Sequence, residues 1–360
     1  MILKRILKVA IVEFGLSHDE CILTQLKSFV EHNDEVVLCC QHKLWERNPF
    51  FHSFVSSQIS FIEKKSWFLN FITLIKLKRR LKKIGVKKII FNTAQGGLVR
   101  DFTMISSKKT ELIGVLHTIK KLDKSFTQKI ITRKIKKYLF LNDTLLVRAK
   151  KNKNIRLGVF YPLDFPEEQK EIFKAKSEIW IVIPGELEQR RKDLFGSAPL
   201  MASLYKQNPN VRFIFLGKSD LLKEDVCGFI DLANKNGFKD AIMLFEDFVD
   251  VKTFISYITK ADFLWPMVHP NSMSADQYFV NQISGTINLS FSYNIPLLIH
   301  QKYSNWDDFK EYAVLYTLND FSSIIDRSIP NRQGIAEKMA ANKKFVPKNQ
   351  RKQYYDFISC

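Results

Sequence analysis

The sequence predicts an α/β protein built on two open, largely parallel sheets. Short apolar runs alternate with longer amphipathic stretches, which is the pattern of βαβ units. This alternation occurs twice, on either side of YPLDFPEEQ (161–169), a stretch with two prolines and several acidic residues. The length of 360 residues also suits two domains better than one.

The first half begins with an apolar run that ends at Glu13, which we interpret as a strand. Runs of this kind predict strands at 6–14, 35–40, 87–93, 111–118, 144–149 and 155–160. Stretches with apolar residues at helical spacing predict helices at 18–32, 66–84 and 124–140.

The second half repeats the alternation more regularly. Its predicted strands lie at 178–184, 211–217, 241–246, 261–266, 295–300 and 313–317. Its predicted helices lie at about 188–206, 221–236, 250–260, 284–293 and 304–311. We therefore expect a Rossmann-like domain over 1–165, a second over 166–333, and a helical tail over 334–360 that packs back on the first domain.

The excess of positive over negative charge lies entirely in the first domain. The net charge is +19, and residues 1–160 hold 32 Lys and Arg against 12 Asp and Glu. This asymmetry indicates a polyanionic partner: nucleic acid, anionic lipid or a phosphorylated substrate. Because no zinc-finger, RNP-like or homeodomain pattern occurs, we expect no specific nucleic-acid partner, although weak, salt-sensitive binding to nucleic acid stays an alternative.

The segment VIPGELEQRRKDL (182–194) carries candidate phosphate ligands. Gly185 ends a predicted strand, and a helix is expected to begin near Glu188, with Arg190, Arg191 and Lys192 in its first turn. The helix dipole disfavours cations there, and a bound diphosphate would offset that cost. A solvated basic helix start is the alternative.

A second glycine turn lies within NQISGTINLSFSYNIPLLI (281–299). Ser284, Gly285 and Thr286 are expected at a helix N-terminus that follows a strand. Such a turn can hold phosphate through its free N–H groups, or it can be an ordinary N-cap.

Residues 178–317 resemble the C-terminal, donor-binding domain of GT-B glycosyltransferases, near the group-one bacterial surface-polysaccharide enzymes. The matching segments, in order, are IPGELEQRRKD, VRFIFLG, LFEDFVDVKTFISYITKADFLWP and SGTINLSFSYNIPLLI. The resemblance implies two Rossmann-like domains facing across a cleft. It also implies a nucleotide-diphosphate sugar as co-substrate and no other cofactor. We expect no metal, since Asp-x-Asp is absent.

The resemblance also assigns roles to residues of the second domain. Arg191 and Lys192, with Arg190 beside them, would stabilise the leaving diphosphate. Asp247 and Phe248 would lie beside the nucleotide base, and the turn formed by Ser284, Gly285 and Thr286 would hold phosphates or the donor sugar. The acidic E-x7-E pattern of large retaining families is missing from QYFVNQISGTINLSFSYN, so retaining and inverting mechanisms both stay open.

Polar residues at other strand ends are candidates for the reaction itself. His117 would act as general base on an acceptor hydroxyl or hold the donor sugar, and His269 would contact the donor. Asn92 and Thr93 would contact the acceptor. Each of these residues has an ordinary structural role as its alternative, and His18 and His300 are interpreted as structural.

The stretch SWFLNFITLIKLKRRLKKIG (66–85) predicts a basic amphipathic helix with Leu74, Leu77, Leu81 and Ile84 on its buried stripe. Aromatic residues beside cations are typical of a helix at a membrane interface. The expected membrane contacts are Trp67, Phe68, Phe71, Lys78, Arg79 and Lys82. In the alternative, the aromatic side chains are buried and the cations are merely solvated. A second basic surface is expected from Lys120, Lys121, Lys124, Lys129, Arg133, Lys134, Lys136 and Lys137.

These observations lead to one expected function. The chain would move a sugar from a nucleotide-diphosphate donor to a saccharide acceptor, lipid-linked or soluble, in bacterial surface polysaccharide or glycan assembly. It would act in the cytoplasm, bound peripherally to the anionic inner face of the cell membrane. A nucleotide-sugar 2-epimerase-like enzyme and a non-catalytic partner protein of the same fold are the alternatives.

Overall fold

The computed structural model describes residues 6–61, 63, 66–120, 122, 125–149 and 154–360. The chain divides into two compact units: Met1–Phe165 with Pro347–Cys360, and Pro166–Val346. Each unit contains a parallel sheet with surrounding helices, which confirms the predicted class of two Rossmann-like domains.

Within the described residues, the first unit contains seven parallel strands. They are β1 (Lys8–Glu13), β2 (Glu35–Gln41), β3 (Ser57–Phe61), β4 (Lys88–Phe91), β5 (Glu111–Leu116), β6 (Lys137–Phe140) and β7 (Arg156–Val159). Their spatial order is β3-β2-β1-β4-β5-β6-β7. The direction of winding reverses between β1 and β4, and ligands of open α/β sheets bind at the carboxyl ends of strands beside such a point.

The helices of the first unit surround this sheet. They are α1 (Ile22–Val30), α2 (His42–Glu46), α3 (Trp67–Ile84), α4 (Gly97–Ile105), α5 (Phe126–Lys134) and α6 (Asp143–Arg148). In α3 the stripe of Leu74, Leu77 and Leu81 is buried, as its spacing predicts, whereas Ile84 is half-buried.

Two predictions for the first unit are wrong, and one strand was missed. Residues 144–149 lie largely in helix α6, because the Asn142 side chain accepts a hydrogen bond from Leu145 N and caps that helix. The helix predicted over 124–140 ends at Lys134, and the strand β6 follows it. The strand β3 was not predicted, since its short run of mixed polarity resembles a loop.

The described part of the second unit contains six parallel strands. They are β8 (Ile179–Pro184), β9 (Val211–Lys218), β10 (Ile242–Phe245), β11 (Phe263–Leu264), β12 (Leu297–His300) and β13 (Ala313–Tyr316). All six were predicted, and their order is β10-β9-β8-β11-β12-β13. The reversal between β8 and β11 places Gly185, which follows β8, beside the switch point of this sheet.

The five predicted helices of the second unit are present and differ mainly at their ends, whereas the helix Phe321–Ser328 was not predicted. The helices of this unit are α7 (Leu194–Gln207), α8 (Glu224–Lys235), α9 (Val251–Thr259), α10 (Gly285–Tyr293), α11 (Asp307–Lys310), α12 (Phe321–Ser328) and α13 (Arg332–Ala341). Helix α7 begins at Leu194 rather than near Glu188, because Asp193 accepts a hydrogen bond from Gly196 N and serves as the N-cap. The cations at 190–192 therefore lie in the loop before the helix, and the prediction that they occupy its first turn is wrong.

The C-terminal segment divides between the units. Residues 334–346 belong to the second unit, whereas the final helix α14 (Pro347–Ser359) belongs to the first. Helix α14 lies against α1, where Tyr354 packs edge-on to Phe29. None of the helices in the described part of the chain combines the length and apolar character needed to span a membrane.

Candidate functional site

Lys192 lies at the carboxyl end of β8 and is the central cation of the second unit. Its side chain is 6% exposed, and its Nζ donates to the Glu186 carbonyl oxygen at 2.9 Å. Among the described residues Lys192 forms no ion pair. Burial lowers the pKa of Lys192 to about 8, although Glu188 and Glu186 raise it in part. A buried ammonium without a counter-charge is suited to bind an anion.

Gly185 provides the space next to this ammonium. Its φ of +90° is in the region that favours glycine, and a Cβ there would lie 3.4 Å from Lys192 Nζ. The neighbouring strand also requires a glycine, because a Cβ on Gly217 would lie 2.5 Å from the Gly185 carbonyl oxygen. Two glycines thus allow the backbone to approach the position where an anion would bind.

The two arginines of the same loop have a different environment. Arg191 Nε lies 2.6 Å from Glu188 Oε1, and Arg190 Nε lies 3.8 Å from Glu188 Oε2. Both guanidinium groups are more than half exposed. Of the three predicted cations, only Lys192 is buried without a counter-charge, and a phosphate would have to compete with Glu188 for the arginines.

A buried hydrogen-bonded relay fixes the end of this loop. Asp193 Oδ2 lies 2.8 Å from Nδ1 of His269, and His269 Nε2 lies 2.7 Å from the Tyr316 hydroxyl. Trp265 Nε1 donates to the same hydroxyl at 2.7 Å. Burial raises the pKa of Tyr316 far above its usual value, so the hydroxyl stays protonated. The arrangement that satisfies every group has Tyr316 donating to Nε2 and the Nδ1–H of His269 donating to Asp193.

The relay bears on the predicted role of His269. The imidazole is fully buried and both of its nitrogens have protein partners. The geometry therefore gives no support to a direct contact between His269 and the donor, and that role stays a prediction. The geometry instead makes His269 a support for Asp193, which caps α7 and whose N–H donates to the Met267 carbonyl. The network joins the Lys192 loop to the loop that follows β11.

The turn at Ser284, Gly285 and Thr286 forms the N-terminus of α10. Ser284 Oγ accepts a hydrogen bond from Thr286 N, so the residue is an N-cap. Gly285 is exposed, and no atom lies within 4 Å of where its Cβ would be. Helix α10 connects β11 with β12, so its N-terminus lies on the same edge of the sheet as Gly185. The turn is both a cap and an open helix N-terminus.

Asp247 and Phe248 follow β10 at that edge of the sheet. Both residues are exposed. The next helix, α9, is capped by Asp250, whose carboxylate accepts from Thr253 N at 3.1 Å. The exposed phenyl ring leaves a flat apolar face available, as stacking on a base requires.

Glu13 is the central acidic residue of the first unit. It ends β1 at the switch point and is buried. Its Oε2 accepts hydrogen bonds from Asn92 Nδ2 at 2.8 Å and Thr93 Oγ1 at 2.6 Å, and its Oε1 accepts from Gly15 N at 2.6 Å. Burial raises the pKa of Glu13, although these hydrogen bonds and His18 lower it in part. A carboxylate of raised pKa at a strand end is a candidate acid or base.

Two histidines stack beside this carboxylate. The rings of His18 and His117 have centroids 3.8 Å apart, and His117 Nε2 donates to the Asn92 carbonyl at 2.7 Å. Burial and the nearby His18 lower the pKa of His117 to about 3. Burial also lowers the pKa of His18, but Glu20, Glu13 and Asp19 outweigh it and raise the value. Since His117 binds a proton only weakly near neutral pH, this geometry does not support its predicted role as general base.

Asn92 and Thr93 hold Glu13. Both amide hydrogens of Asn92 are donated, to Glu13 and to the His18 carbonyl, and its Oδ1 accepts from Gln25 Nε2 at 2.6 Å. The geometry therefore does not favour the predicted acceptor contact of Asn92, because its polar atoms already have protein partners. Thr93 is half-buried and donates its hydroxyl to Glu13.

Sequence reasoning missed three residues of these sites: Glu13, Asp193 and Tyr316. Glu13 and Tyr316 end strands, which is the same signal that singled out His117. Asp193 had no such signal, because its role depends on where α7 begins.

The predicted membrane helix has an exposed apolar end. Trp67 is 61% and Phe68 is 62% exposed, whereas Phe71 is half-buried and stacks on Trp67. Helix α4 packs against both α3 and α5, and adds the exposed Met104, while α5 adds Phe126 at 76% exposure. Exposed cations on the same helices are Arg79, Lys82, Lys129, Arg133 and Lys134, whereas Lys78 is half-buried. Lys120, which precedes α5, is also exposed. Lys121 and Lys124 lie outside the described residues.

No protein-family model matches the sequence, and no curated protein matches it. Among solved structures, HepE from Anabaena in complex with UDP-glucose aligns with a TM-score of 0.70 at 12% identity, over 98% of this chain and 99% of the other. A glycosyltransferase from Rickettsia africae ESF-5 aligns with a TM-score of 0.69 at 8% identity, over 99% and 98% of the two chains.

A third structure is an enzyme of different activity. UDP-GlcNAc 2-epimerase from Neisseria meningitidis, bound to UDP-GlcNAc, aligns with a TM-score of 0.64 at 11% identity, over 98% of this chain and 100% of that one. At such low identity the likeness concerns the fold. Taken with its two parallel sheets, it shows that this chain has the GT-B fold and is similar in structure to the GT-B glycosyltransferases.

Proposed function

We propose that this chain is a glycosyltransferase that moves a sugar from a nucleotide-diphosphate donor to a saccharide acceptor. The observation that carries the proposal is Lys192, a buried ammonium without an ion pair among the described residues, beside Gly185 at the switch point of the second sheet. Keeping such a cation charged costs stability. A diphosphate would supply the missing negative charge, and it is the group that leaves when the sugar is transferred.

The second unit would bind the donor. Lys192 stabilises the charge that develops on the diphosphate as the bond to the sugar breaks, which is electrostatic stabilisation of the transition state. Arg191 adds to it by exchanging Glu188 for a phosphate oxygen. The N-terminus of α10 at Gly285 binds phosphate or sugar oxygens through its free N–H groups. Phe248 stacks on the base, with Asp247 beside it.

The first unit would bind the acceptor, with Glu13 as the proposed general base. In its ionised form Glu13 takes the proton from the acceptor hydroxyl, whose oxygen then bonds to the anomeric carbon. The bond from that carbon to the diphosphate breaks, and its electron pair leaves with the diphosphate. A raised pKa brings Glu13 closer to the value that suits a general base near neutral pH.

The acceptor is proposed to be lipid-linked, in assembly of a surface polysaccharide or another glycan. The support is the group of packed helices α3, α4 and α5, in which Trp67, Phe68 and Phe126 are exposed and which also carry exposed Lys and Arg residues. Apolar side chains flanked by Lys and Arg suit the interface of an anionic membrane, to which each cation contributes about 1 kcal/mol. We place the protein on the cytoplasmic face of the membrane.

A nucleotide-sugar 2-epimerase is the second candidate, because the N. meningitidis epimerase shares the fold. Glu13 would serve that chemistry too, since epimerisation needs a group that removes a proton from the sugar. The two functions differ in products: an epimerase converts the nucleotide sugar without an acceptor, whereas a transferase releases nucleoside diphosphate only when an acceptor is present. A non-catalytic partner would bind the donor and turn nothing over.

The test is a thermal-shift panel of nucleoside diphosphates and their sugars with wild type, Lys192→Met and Arg190→Met. We expect one nucleotide to stabilise the wild type, the Lys192 variant to lose that stabilisation, and the exposed Arg190 to be replaceable with little effect. Chromatography of the products with and without a membrane extract as acceptor then separates transferase from epimerase. A panel in which no nucleotide stabilises the wild type contradicts the proposal.

A further inference from the structure

A continuous chain of hydrogen bonds connects the C-terminal helix with Glu13. The Tyr354 hydroxyl on α14 donates to Gln25 Oε1 at 2.9 Å. Gln25 Nε2 donates to Asn92 Oδ1 at 2.6 Å, and Asn92 Nδ2 donates to Glu13 Oε2 at 2.8 Å. Each step has its donor on the helix side, so the chain has a single direction, from the hydroxyl to the carboxylate.

In this series of hydrogen bonds, every polar atom of the Gln25 and Asn92 amides has a partner. Gln25 donates its second amide hydrogen to the Cys21 carbonyl, and Asn92 donates its second to the His18 carbonyl. Tyr354, Gln25 and Asn92 are all buried. In such surroundings a hydrogen bond is stronger than in water, and neighbouring bonds polarise each other. The orientation of each amide is therefore determined by its neighbours in the chain.

The Tyr354 hydroxyl is held in place and remains a donor. Burial raises the pKa of Tyr354 well above its usual value, so it keeps its proton. Its ring packs on Phe29 and Phe160, at centroid distances of 5.9 and 4.8 Å. The helix is anchored by Arg351, which pairs with Asp164 at 2.5 Å and with Glu31 at 2.7 Å.

We propose that Tyr354 is a positioning residue for Glu13, acting through Gln25 and Asn92 to hold the hydrogen bond that Asn92 donates to the carboxylate. The last helix of the chain thus takes part in the candidate site of the first unit, although it is more than 300 residues away in sequence. Without the hydroxyl, Gln25 Oε1 loses its donor, and the Gln25 amide is held through its two donated hydrogen bonds and no longer from its oxygen side. Asn92 then donates less firmly to Glu13, and the charged form of Glu13 loses stabilisation.

The test reads the ionisation of Glu13 directly. The intact protein is labelled with ¹³C at the Glu side-chain carboxyl, and the Glu13 signal is identified by its loss in Glu13→Gln. NMR titrations then compare wild type, Tyr354→Phe, Gln25→Met and Tyr355→Phe. Tyr355→Phe is the matched control, because its hydroxyl lies on the same helix but donates to Asp34 at 2.8 Å.

We expect Tyr354→Phe to raise the midpoint of the Glu13 titration by about half a pH unit, since a weakened hydrogen bond favours the neutral carboxyl. Gln25→Met removes the hydrogen bond to Asn92 and should also raise the midpoint of the Glu13 titration. Tyr355→Phe should leave that midpoint unchanged. Other titratable groups near Glu13 are unaltered in all these variants: His18, Asp19, Glu20, Cys21, Cys40 and His117.

Two results would overturn the inference: midpoints in Tyr354→Phe and Gln25→Met equal to that of the wild type, or an equal rise in Tyr355→Phe. Thermal melting checks that each variant is folded. The catalytic importance of the hydrogen bonds from Tyr354 to Glu13 rests on the proposed function, but the outcome of the titration does not. If the midpoint moves as expected and no donor supports transfer, the proposed function fails, but the inference that Tyr354 positions Glu13 is upheld.

Discussion

Asp193 Oδ2 lies 2.8 Å from Nδ1 of His269, and this contact joins the loop that carries Lys192 to the loop after β11. Burial raises the pKa of Asp193, but the hydrogen bonds from His269, Gly196 N and Gln189 outweigh it, so the value is lowered. The pair therefore stabilises the fold above the usual carboxyl pKa, and the contribution is lost as the pH falls through the lowered value.

His269→Phe should strongly destabilise the protein. The substitution leaves Asp193 Oδ2 and the Tyr316 hydroxyl without their partner in a buried site, which costs roughly 2–4 kcal/mol. Urea unfolding at neutral pH measures the loss. His300→Phe is the control, because the hydrogen bond described for His300, from the Lys302 N–H to its Nδ1, lies outside the relay. Equal losses of unfolding free energy in the two variants would show that the relay contributes no more to stability than His300 does.

Lys192→Met should stabilise the ligand-free protein and abolish nucleotide binding. The lowered pKa of about 8 means that charging this group costs stability, and the cost is fully present below pH 8. It disappears as the pH rises from about 8 towards the ordinary lysine value. At pH 7 the gain should be about 3 kcal/mol, shrinking at pH 10, as followed by urea unfolding.

Arg190→Met is the comparison for that experiment, since Arg190 is an exposed neighbour in the same loop. We expect it to change stability by less than about 0.5 kcal/mol. A Lys192 variant that is less stable than wild type at pH 7, or that still binds nucleoside diphosphate, would contradict the role given to this ammonium.

Gly217→Ala should disturb the anion site from the neighbouring strand. Its Cβ would lie 2.5 Å from the Gly185 carbonyl oxygen, so the loop after β8 must shift. We expect a loss of about 1–3 kcal/mol in unfolding free energy and weaker nucleotide binding by calorimetry. Gly334→Ala in helix α13, where the Cβ meets no atom within 4 Å, should instead stabilise by up to about 1 kcal/mol.

Glu13→Gln should remove the proposed general base while keeping a side chain of nearly the same size in its place. The acceptor hydroxyl then has no carboxylate to receive its proton, so kcat should fall by about 100-fold or more while donor binding is unchanged. Initial rates over a range of pH should show that the wild type loses activity in acid as Glu13 is protonated. The variant should lack that acid limb, and a variant with wild-type kcat would remove Glu13 from the mechanism.

Phe68→Ser combined with Leu69→Ser should weaken binding to anionic vesicles. Both side chains are exposed at the start of α3, and burying them in the interface supplies enough free energy for about a tenfold change or more in affinity. Co-sedimentation with vesicles containing phosphatidylglycerol measures it, and added salt should weaken binding in every variant. Phe173→Ser, an exposed phenylalanine of the second unit, should have no effect.

Much of the fold could be predicted because sheet periodicity is local. Every strand of the second unit lies in an apolar run bounded by turn residues, so its pattern alone was sufficient. The first unit was harder: residues 144–149 are as apolar as a strand, and the cap at Asn142 decides that they form a helix. The start of α7 was misplaced for the same reason, since the capping bond of Asp193 could not be inferred from charge.

The candidate site was predictable only in outline. Strand ends identify the edge of each sheet where polar residues meet, and this singled out Gly185, His117 and Asn92. Which of them remain free depends on partners distant in sequence: Asn92 is occupied by Gln25 and Glu13, and His269 by Asp193 and Tyr316. Burial likewise separated Lys192 from the two arginines beside it.

The sequence by itself determined the two α/β units, the order of most of their elements and the concentration of positive charge in the first 160 residues, because periodicity and composition are local properties. The tertiary structure decided which charges are buried, which amides are already paired and that the last helix reaches Glu13. Those outcomes depend on desolvation and on contacts between residues far apart in the chain, which no local pattern records.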